Sequence, residues 1–165
     1  MARTHHITIT YKELDNPDEL GNDDRMLLEK AIEAAGNAYA PYSRFMVGAA
    51  LRLESGTIVK GTNVENAAFP SGICAERSAI SASVSNFPDD KPVSIAIAAL
   101  TEGGLTEEPV TPCGNCRQVI AEEEARSGNQ IKIILAGRKK IIVVENIRSL
   151  LPLQFSKKSM RTILP

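Results

Sequence analysis

Three cysteines and one carboxylate carry the chemistry of this chain. Cys74 and Glu76 lie in Gly72-Ile73-Cys74-Ala75-Glu76-Arg77, and Cys113 and Cys116 lie in Thr111-Pro112-Cys113-Gly114-Asn115-Cys116-Arg117; there is no fourth cysteine. Three thiolate donors leave a tetrahedral zinc ion one open position, which water fills and substrate approaches. A closed four-ligand set staples a fold, whereas an open one points to catalysis. Glu76 is a hard ligand beside three soft sulfurs. Two residues from Cys74, it is placed next to the open position, where a carboxylate does general acid–base work.

The spacing calls for helices. Pro112 suits a first helical residue, which puts Cys113 and Cys116 on the first turn, side by side on one face. Cys74 opens a second segment that reads as a helix N-terminus. Free N–H groups and the positive dipole end at both places favour thiolate over thiol and offset the charge of three sulfurs. Two plainer readings stand beside this one. Pro-Cys-Gly-x-Cys at a helix start also has the form of a dithiol redox motif, and isolated cysteines are often small buried apolar residues.

At 165 residues and 43% hydrophobic residues the chain is long enough for one domain with a real core. A net charge of -1 gives no global attraction to nucleic acid or to an anionic membrane. The start Met1-Ala2-Arg3-Thr4-His5-His6 lacks the apolar core of a secretory signal, and no apolar run approaches membrane-spanning length. A cytoplasmic protein is expected, where thiols stay reduced.

The elements that must position the cysteines are legible from periodicity. Residues 7–11 alternate apolar and polar, as a short strand or extended arm does, and residues 1–22 are set apart as an N-terminal arm from a single domain over 23–165. A helix follows, capped by Asp23 or Asp24, with Leu27, Leu28, Ala31, Ile32, Ala35 and Tyr39 on one face and Pro41 ending it. Residues 47–53 and 57–62 read as a hairpin across Glu54-Ser55-Gly56. The segment opened by Cys74 reads as helix to about residue 84, and residues 93–100 as a buried strand. The helix at Cys113 continues to about residue 126 and ends in the charged run Glu122-Glu123-Glu124. Residues 131–135 and 141–144 form the last strands, and their short connection requires them to run antiparallel if they are neighbours. The expected fold is a three-layer α/β/α sandwich with a mixed five-stranded sheet. Asn63 and Glu65 lie two apart in an extended segment, so their side chains point the same way. An amide beside a carboxylate suits the hydroxyls of a ribose, although both residues also read as turn polars.

Cys-x-Glu followed by Pro-Cys-x-x-Cys is a form of the zinc-deaminase signature with cysteine in place of histidine. Together with Ala38-Tyr39-Ala40-Pro41-Tyr42-Ser43-Arg44-Phe45-Met46-Val47-Gly48-Ala49-Ala50-Leu51, Gly61-Thr62-Asn63-Val64-Glu65-Asn66-Ala67 and Leu150-Leu151-Pro152-Leu153-Gln154-Phe155, it makes the chain resemble the small, homotetrameric cytidine deaminases. The resemblance leaves out about the first twenty residues. It departs from the family at Glu122-Glu123-Glu124, where relatives carry an apolar aromatic, which puts the packing of that helix in question.

The resemblance implies zinc as cofactor, held by Cys74, Cys113 and Cys116, and Glu76 as the catalytic proton carrier. It implies hydrolytic deamination of cytidine and 2′-deoxycytidine, in pyrimidine salvage, by a homotetramer with shared active sites. It gives Asn63 and Glu65 to the sugar, Phe45 to the face of the base, and the Ala75 N–H to the base carbonyl. Arg77 is implied to draw charge from the sulfurs, and Phe155 to cover the base in a neighbouring subunit. From the residues alone Phe45 and Phe155 also read as core aromatics and Arg77 as a surface arginine. Two other functions are open at this stage: deamination of a different aminopyrimidine compound, and a zinc-stabilised scaffold without activity. Intact Asn63 and Glu65 argue against the first, and intact Glu76 against the second.

Overall fold

The computed structural model describes residues 2–160; Met1 and residues 161–165, the outermost ends of the expected arm and domain, lie outside the described residues. In chain order the elements are β1 (Lys12–Leu14), α1 (Asn22–Ala35), β2 (Met46–Leu53), β3 (Ile58–Thr62), α2 (Ala75–Asn86), β4 (Pro92–Thr101), β5 (Gly104–Leu105), α3 (Gly114–Ser127), β6 (Lys132–Ala136), β7 (Ile141–Val144) and α4 (Lys157–Met160). The sheet runs β1-β7-β6-β4-β2-β3, with β5 folded back on β4. All pairings are antiparallel except β4 with β6. That pair is parallel because α3 supplies the crossover between them.

Side-chain alternation divides the core into two faces. Ala49, Leu51, Ile95, Ile97, Ile133 and Leu135 meet Ala75, Ala79, Ile80, Ile120 and Ala121 of α2 and α3. Ala50, Ala96, Ala98, Ile134 and Ala136 point the other way, onto Leu27, Leu28 and Ala31 of α1. The three-layer α/β/α arrangement and the antiparallel last pair are as expected. Among the described residues the sheet has seven strands rather than five: β1 and β5 are three and two residues long, too short to carry a periodic signal.

Other departures have physical causes. Of the two readings of residues 7–11, short strand or extended arm, the strand does not form; pairing begins at Lys12, which lies opposite Val143 of β7. Helix α1 is capped by the Gly21 backbone, not by Asp23 or Asp24. Those carboxylates turn instead to Arg52 and Lys132 on the sheet, at 2.7 Å for Asp23–Arg52 and 2.8 Å for Asp24–Lys132. The helix also stops at Ala35, well before Pro41. Tyr39 leaves it to bridge Val64, its N–H donating to Asn63 O at 3.1 Å while its carbonyl accepts from Glu65 N–H at 2.8 Å. A tertiary pairing thus outweighs helical periodicity there, and it brings residues 40–45 beside the segment carrying Asn63 and Glu65.

Two glycines set how closely the helices approach the sheet. A Cβ on Gly48 would lie 2.2 Å from Ala31 O and Ala35 N of α1, and one on Gly61 would lie 2.4 Å from Ala75 O and Ala79 N of α2. Helix α2, which carries Glu76, is therefore seated against β3 at a distance that only glycine permits.

The charged run at the end of α3 packs without conflict because each carboxylate has a partner. Glu123 is buried and receives two hydrogen bonds from Arg126, at 2.7 and 2.8 Å. Glu124 accepts from the backbone N–H groups of Ile131 and Ile147 at 2.9 and 3.1 Å, tying α3 to the start of β6 and to the turn after β7. Glu122 faces Lys157 at 3.6 Å.

Candidate active site

Cys74 is the N-cap residue of α2 and Cys113 the N-cap residue of α3. Pro112 precedes the cap rather than forming the first helical residue, which moves Cys113 to the helix mouth and leaves Cys116 in the first turn. The two mouths are brought together by different devices. Before α2, Val64 and Ile73 exchange backbone hydrogen bonds at 3.0 Å in both directions, closing the intervening loop so that the chain enters α2 beside Asn63. Before α3, the Arg117 guanidinium reaches back to Pro112 O at 2.8 Å and Thr111 Oγ1 at 3.3 Å and across to Leu150 O at 2.9 Å.

All three sulfurs lie within 4.8 Å of one another, with 4.0 Å between Cys74 and Cys113 and 3.5 Å between Cys113 and Cys116. A tetrahedral zinc with bonds of about 2.3 Å needs sulfurs about 3.8 Å apart, so the donor set fits such an ion. Burial, with neighbouring negative charge, raises the pKa of Cys74 and Cys116; Cys113 is drawn below the ordinary thiol value despite burial, by N–H groups of Cys116 and Asn115. A bound cation relieves that crowding of charge. Exposure is graded across the cluster, with Cys116 buried, Cys74 half-buried and Cys113 exposed, so one side faces an approaching molecule.

That side opens on a cavity of about 480 Å³ lined by Phe45, Asn63, Glu65, Cys74, Ala75, Glu76, Cys113 and, among others, Ile97 and Thr111. A volume of this size suits a small organic ligand, whose usual range begins at about 300 Å³. Glu76 is 5% exposed, and its burial raises its pKa above the usual carboxylate value. A second cavity of about 360 Å³ shares Asn63, Glu65 and Cys74 with the first and adds Tyr42 and Phe69, whose rings meet edge to face with centroids 5.8 Å apart.

The structure thus gathers Phe45, Asn63, Glu65, Ala75 and Glu76 around the cysteines. Asn63 and Glu65 also hold the loop after Tyr39. Asn63 accepts from Val47 N–H at 2.7 Å and donates to Phe45 O at 2.9 Å, and Glu65 accepts from Tyr42 N–H at 2.8 Å and Ser43 N–H at 3.2 Å. The Ser43 hydroxyl and the Tyr42 N–H hold the Glu65 carboxyl below the usual range. Each side chain keeps hydrogen-bonding capacity to spare, since an amide nitrogen has a second hydrogen and a carboxylate a second oxygen. Arg77 lies half-buried on the first turn of α2, and among the described residues it donates to none of the sulfurs. Phe155 is 60% exposed and is not part of its own chain's cavity. Sequence reasoning did not single out Ser43, Gly61, Thr111 or Arg117. Gly61 alone left a readable sign, a glycine inside a strand pattern.

A buried carboxylate with a raised pKa, held beside thiolates yet not needed as a ligand, has a ready use in moving protons at an open coordination position. The class that this fold and site define is therefore a hydrolase with a thiolate cluster built for a metal ion. The profile of the cytidine and deoxycytidylate deaminase zinc-binding region matches residues 21–128, and the chain belongs to that family. It is 39% identical over 138 residues to the cytidine deaminase of Halalkalibacterium halodurans, covering 84% of this chain and 98% of that protein. Against the cytidine deaminase of Sporosarcina psychrophila it is 41% identical over 138 residues, 84% of this chain and 95% of the other. The crystal structure of cytidine deaminase from Burkholderia pseudomallei superposes with a TM-score of 0.68 at 34% identity, over 79% of this chain and 97% of that one.

Proposed function

We propose that the protein deaminates cytidine and 2′-deoxycytidine hydrolytically, giving uridine or 2′-deoxyuridine and ammonia, with zinc as its metal. The observation that carries this reading is the buried Glu76 carboxylate in one cavity with Phe45, Asn63, Glu65 and two of the three clustered cysteines, Cys74 and Cys113. The named relatives, cytidine deaminases by description, support the substrate. A zinc ion bound by Cys74, Cys113 and Cys116 supplies the Lewis acidity that makes water nucleophilic near neutral pH.

The chain's own residues do the rest. Glu76 takes a proton from the attacking water and delivers it to ring N3 as oxygen bonds to C4. The tetrahedral carbon then carries hydroxyl and amino groups. Glu76 passes the hydroxyl proton to the amino group, the C4–N bond breaks, and ammonia leaves with the uracil carbonyl restored. A carboxylate whose pKa is raised by burial is suited to give as well as take that proton. The Ala75 N–H, at the first helical position and without an intrahelical partner, donates to the base carbonyl. Phe45 packs on the base face, and the free capacity of Asn63 and Glu65 binds the sugar hydroxyls. Arg77 draws charge from the sulfurs when the metal is bound.

The protein works as a homotetramer in which Phe155 of one chain covers the base in the next, a reading supported by the exposure of that ring. We take residues 23–165 as a single domain and residues 1–22 as its N-terminal arm, which contributes β1 to the domain's sheet. Three thiols that must stay reduced support a cytoplasmic role in pyrimidine salvage, on free nucleosides rather than on nucleic acid or at a membrane; no helix among the described residues is long and apolar enough to cross a membrane.

The test is loss of the cytidine absorbance band with formation of uridine on addition of zinc-loaded protein, against Glu76→Gln as control. Loss of the proton carrier is expected to lower kcat by about 10²–10⁴-fold. A zinc-loaded parent that leaves cytidine unchanged, or a Glu76→Gln enzyme with normal kcat, overturns the proposal.

A further inference from the structure

Residues 7–11 are the one patterned segment that neither the domain nor the proposed chemistry uses, and the family match begins only at residue 21. The structure gives them a definite place. β1 runs antiparallel to β7 with Lys12 opposite Val143 and Glu13 opposite Ile142, and Lys12 pairs with Glu145 at 2.9 Å. Continued by one residue, that register sets Tyr11 across from Val144, and residues opposite one another share a face of the sheet. Val144 belongs to the α2/α3 face, the face of the cysteine cluster. Tyr11 and Ile9 accordingly line one cavity of about 240 Å³ together with Thr111, Arg117, Leu135, Ile142, Val144 and Leu150.

Two members of this lining also belong to the metal loop. Thr111 lines the active-site cavity on its other side, so it separates the two spaces. Arg117 is the residue whose guanidinium ties Pro112, Thr111 and Leu150 together immediately before Cys113. Those hydrogen bonds are stronger where water is kept away. Tyr11 and Ile9 are about half exposed, at 54% and 48%, so each has one side on the molecule and one in solvent.

We propose that residues 7–11 form a strap across the back of the Cys113 loop, with Tyr11 and Ile9 as positioning residues that shield the Arg117 hydrogen bonds. The strap acts through Arg117 and Thr111 and touches no substrate. Its bearing on catalysis rests on the reading of Cys113 as a zinc ligand. Its bearing on the loop does not, which lets the two be tested separately.

The experiment is hydrogen exchange on the full-length, zinc-loaded protein, comparing the parent with the double variant Ile9→Ser, Tyr11→Ser and with Tyr11→Phe. The double variant is expected to raise exchange of the amides of residues 113–117 and 149–151 about three- to tenfold while leaving α1 and β2 unchanged, as a local opening does. Transfer of zinc to a competing chelator should quicken by a similar factor. Tyr11→Phe should match the parent in both, since an apolar cover needs no hydroxyl. Unchanged exchange in the double variant overturns the strap, and so does a uniform rise across the molecule, which would mean general destabilisation. Faster exchange at the loop with unaltered zinc transfer keeps the strap and refutes its bearing on the metal.

Discussion

Replacing Gly61 by alanine tests whether the seating of α2 on the sheet sets the rate. The added Cβ would meet Ala75 O and Ala79 N at 2.4 Å, both of them backbone atoms that cannot rotate away. Restoring ordinary contact requires α2 to retreat by roughly 1 Å, and a misplacement of that size costs on the order of 10²-fold in rate when it moves reacting groups. The groups moved are the Ala75 N–H, Glu76 and the Cys74 sulfur at the start of the same helix. Overpacking of this kind also costs about 1–3 kcal/mol of stability. For a domain of this size each kcal/mol lowers Tm by about 2–4 °C. The control is Gly48→Ala, whose Cβ meets Ala31 O and Ala35 N of α1 at 2.2 Å on the opposite face, away from the cysteines. It should lose at least as much stability yet keep most of its kcat. Tm by calorimetry and kcat from the cytidine absorbance assay decide the matter. If Gly61→Ala keeps its turnover while losing stability as Gly48→Ala does, the position of α2 is not what limits the chemistry.

Cys113→Ala should remove both metal and activity, because two thiolates and two waters make a poor zinc site; metal analysis showing one zinc per chain in this variant would discard the ligand assignment. Glu65→Ala should raise KM for cytidine and also loosen residues 42–43, whose N–H groups it accepts. Free cytosine should be a poor substrate of the parent, and equal handling of cytosine and cytidine would leave Asn63 and Glu65 a purely structural role. Phe155→Ala should cost roughly one to two orders of magnitude in kcat/KM, since stacking on a base is worth about 1–3 kcal/mol. Mixed oligomers of Phe155→Ala with Glu76→Gln chains should exceed either parent in activity; a simple average of the two would place the ring's action within its own chain.

What the sequence determined by itself was local in origin. Cys74, Glu76, Cys113 and Cys116 could be read as a unit because thiolate spacing, helix-start geometry and carboxylate chemistry all act over a few residues. Strands β2, β3, β4, β6 and β7 were legible because their alternating or continuous apolar runs record which faces are buried. The tertiary structure decided whatever depended on partners far along the chain. Tyr39 has helical spacing, but it pairs with Asn63, Val64 and Glu65 instead, and so shapes the wall of the cavity. The charged run at Glu122-Glu123-Glu124 leaves the packing of its helix open in the sequence, and only the arrival of Arg126, Ile131 and Ile147 as hydrogen-bond donors to Glu123 and Glu124 decides it. Arg117 reads as an ordinary charge after a cysteine, and only the approach of Leu150 shows it as the tie that holds the Cys113 loop. Periodicity records how much of a side chain is buried, whereas a hydrogen bond or a 2.4 Å approach requires knowing which distant atom arrives, and only the fold decides that.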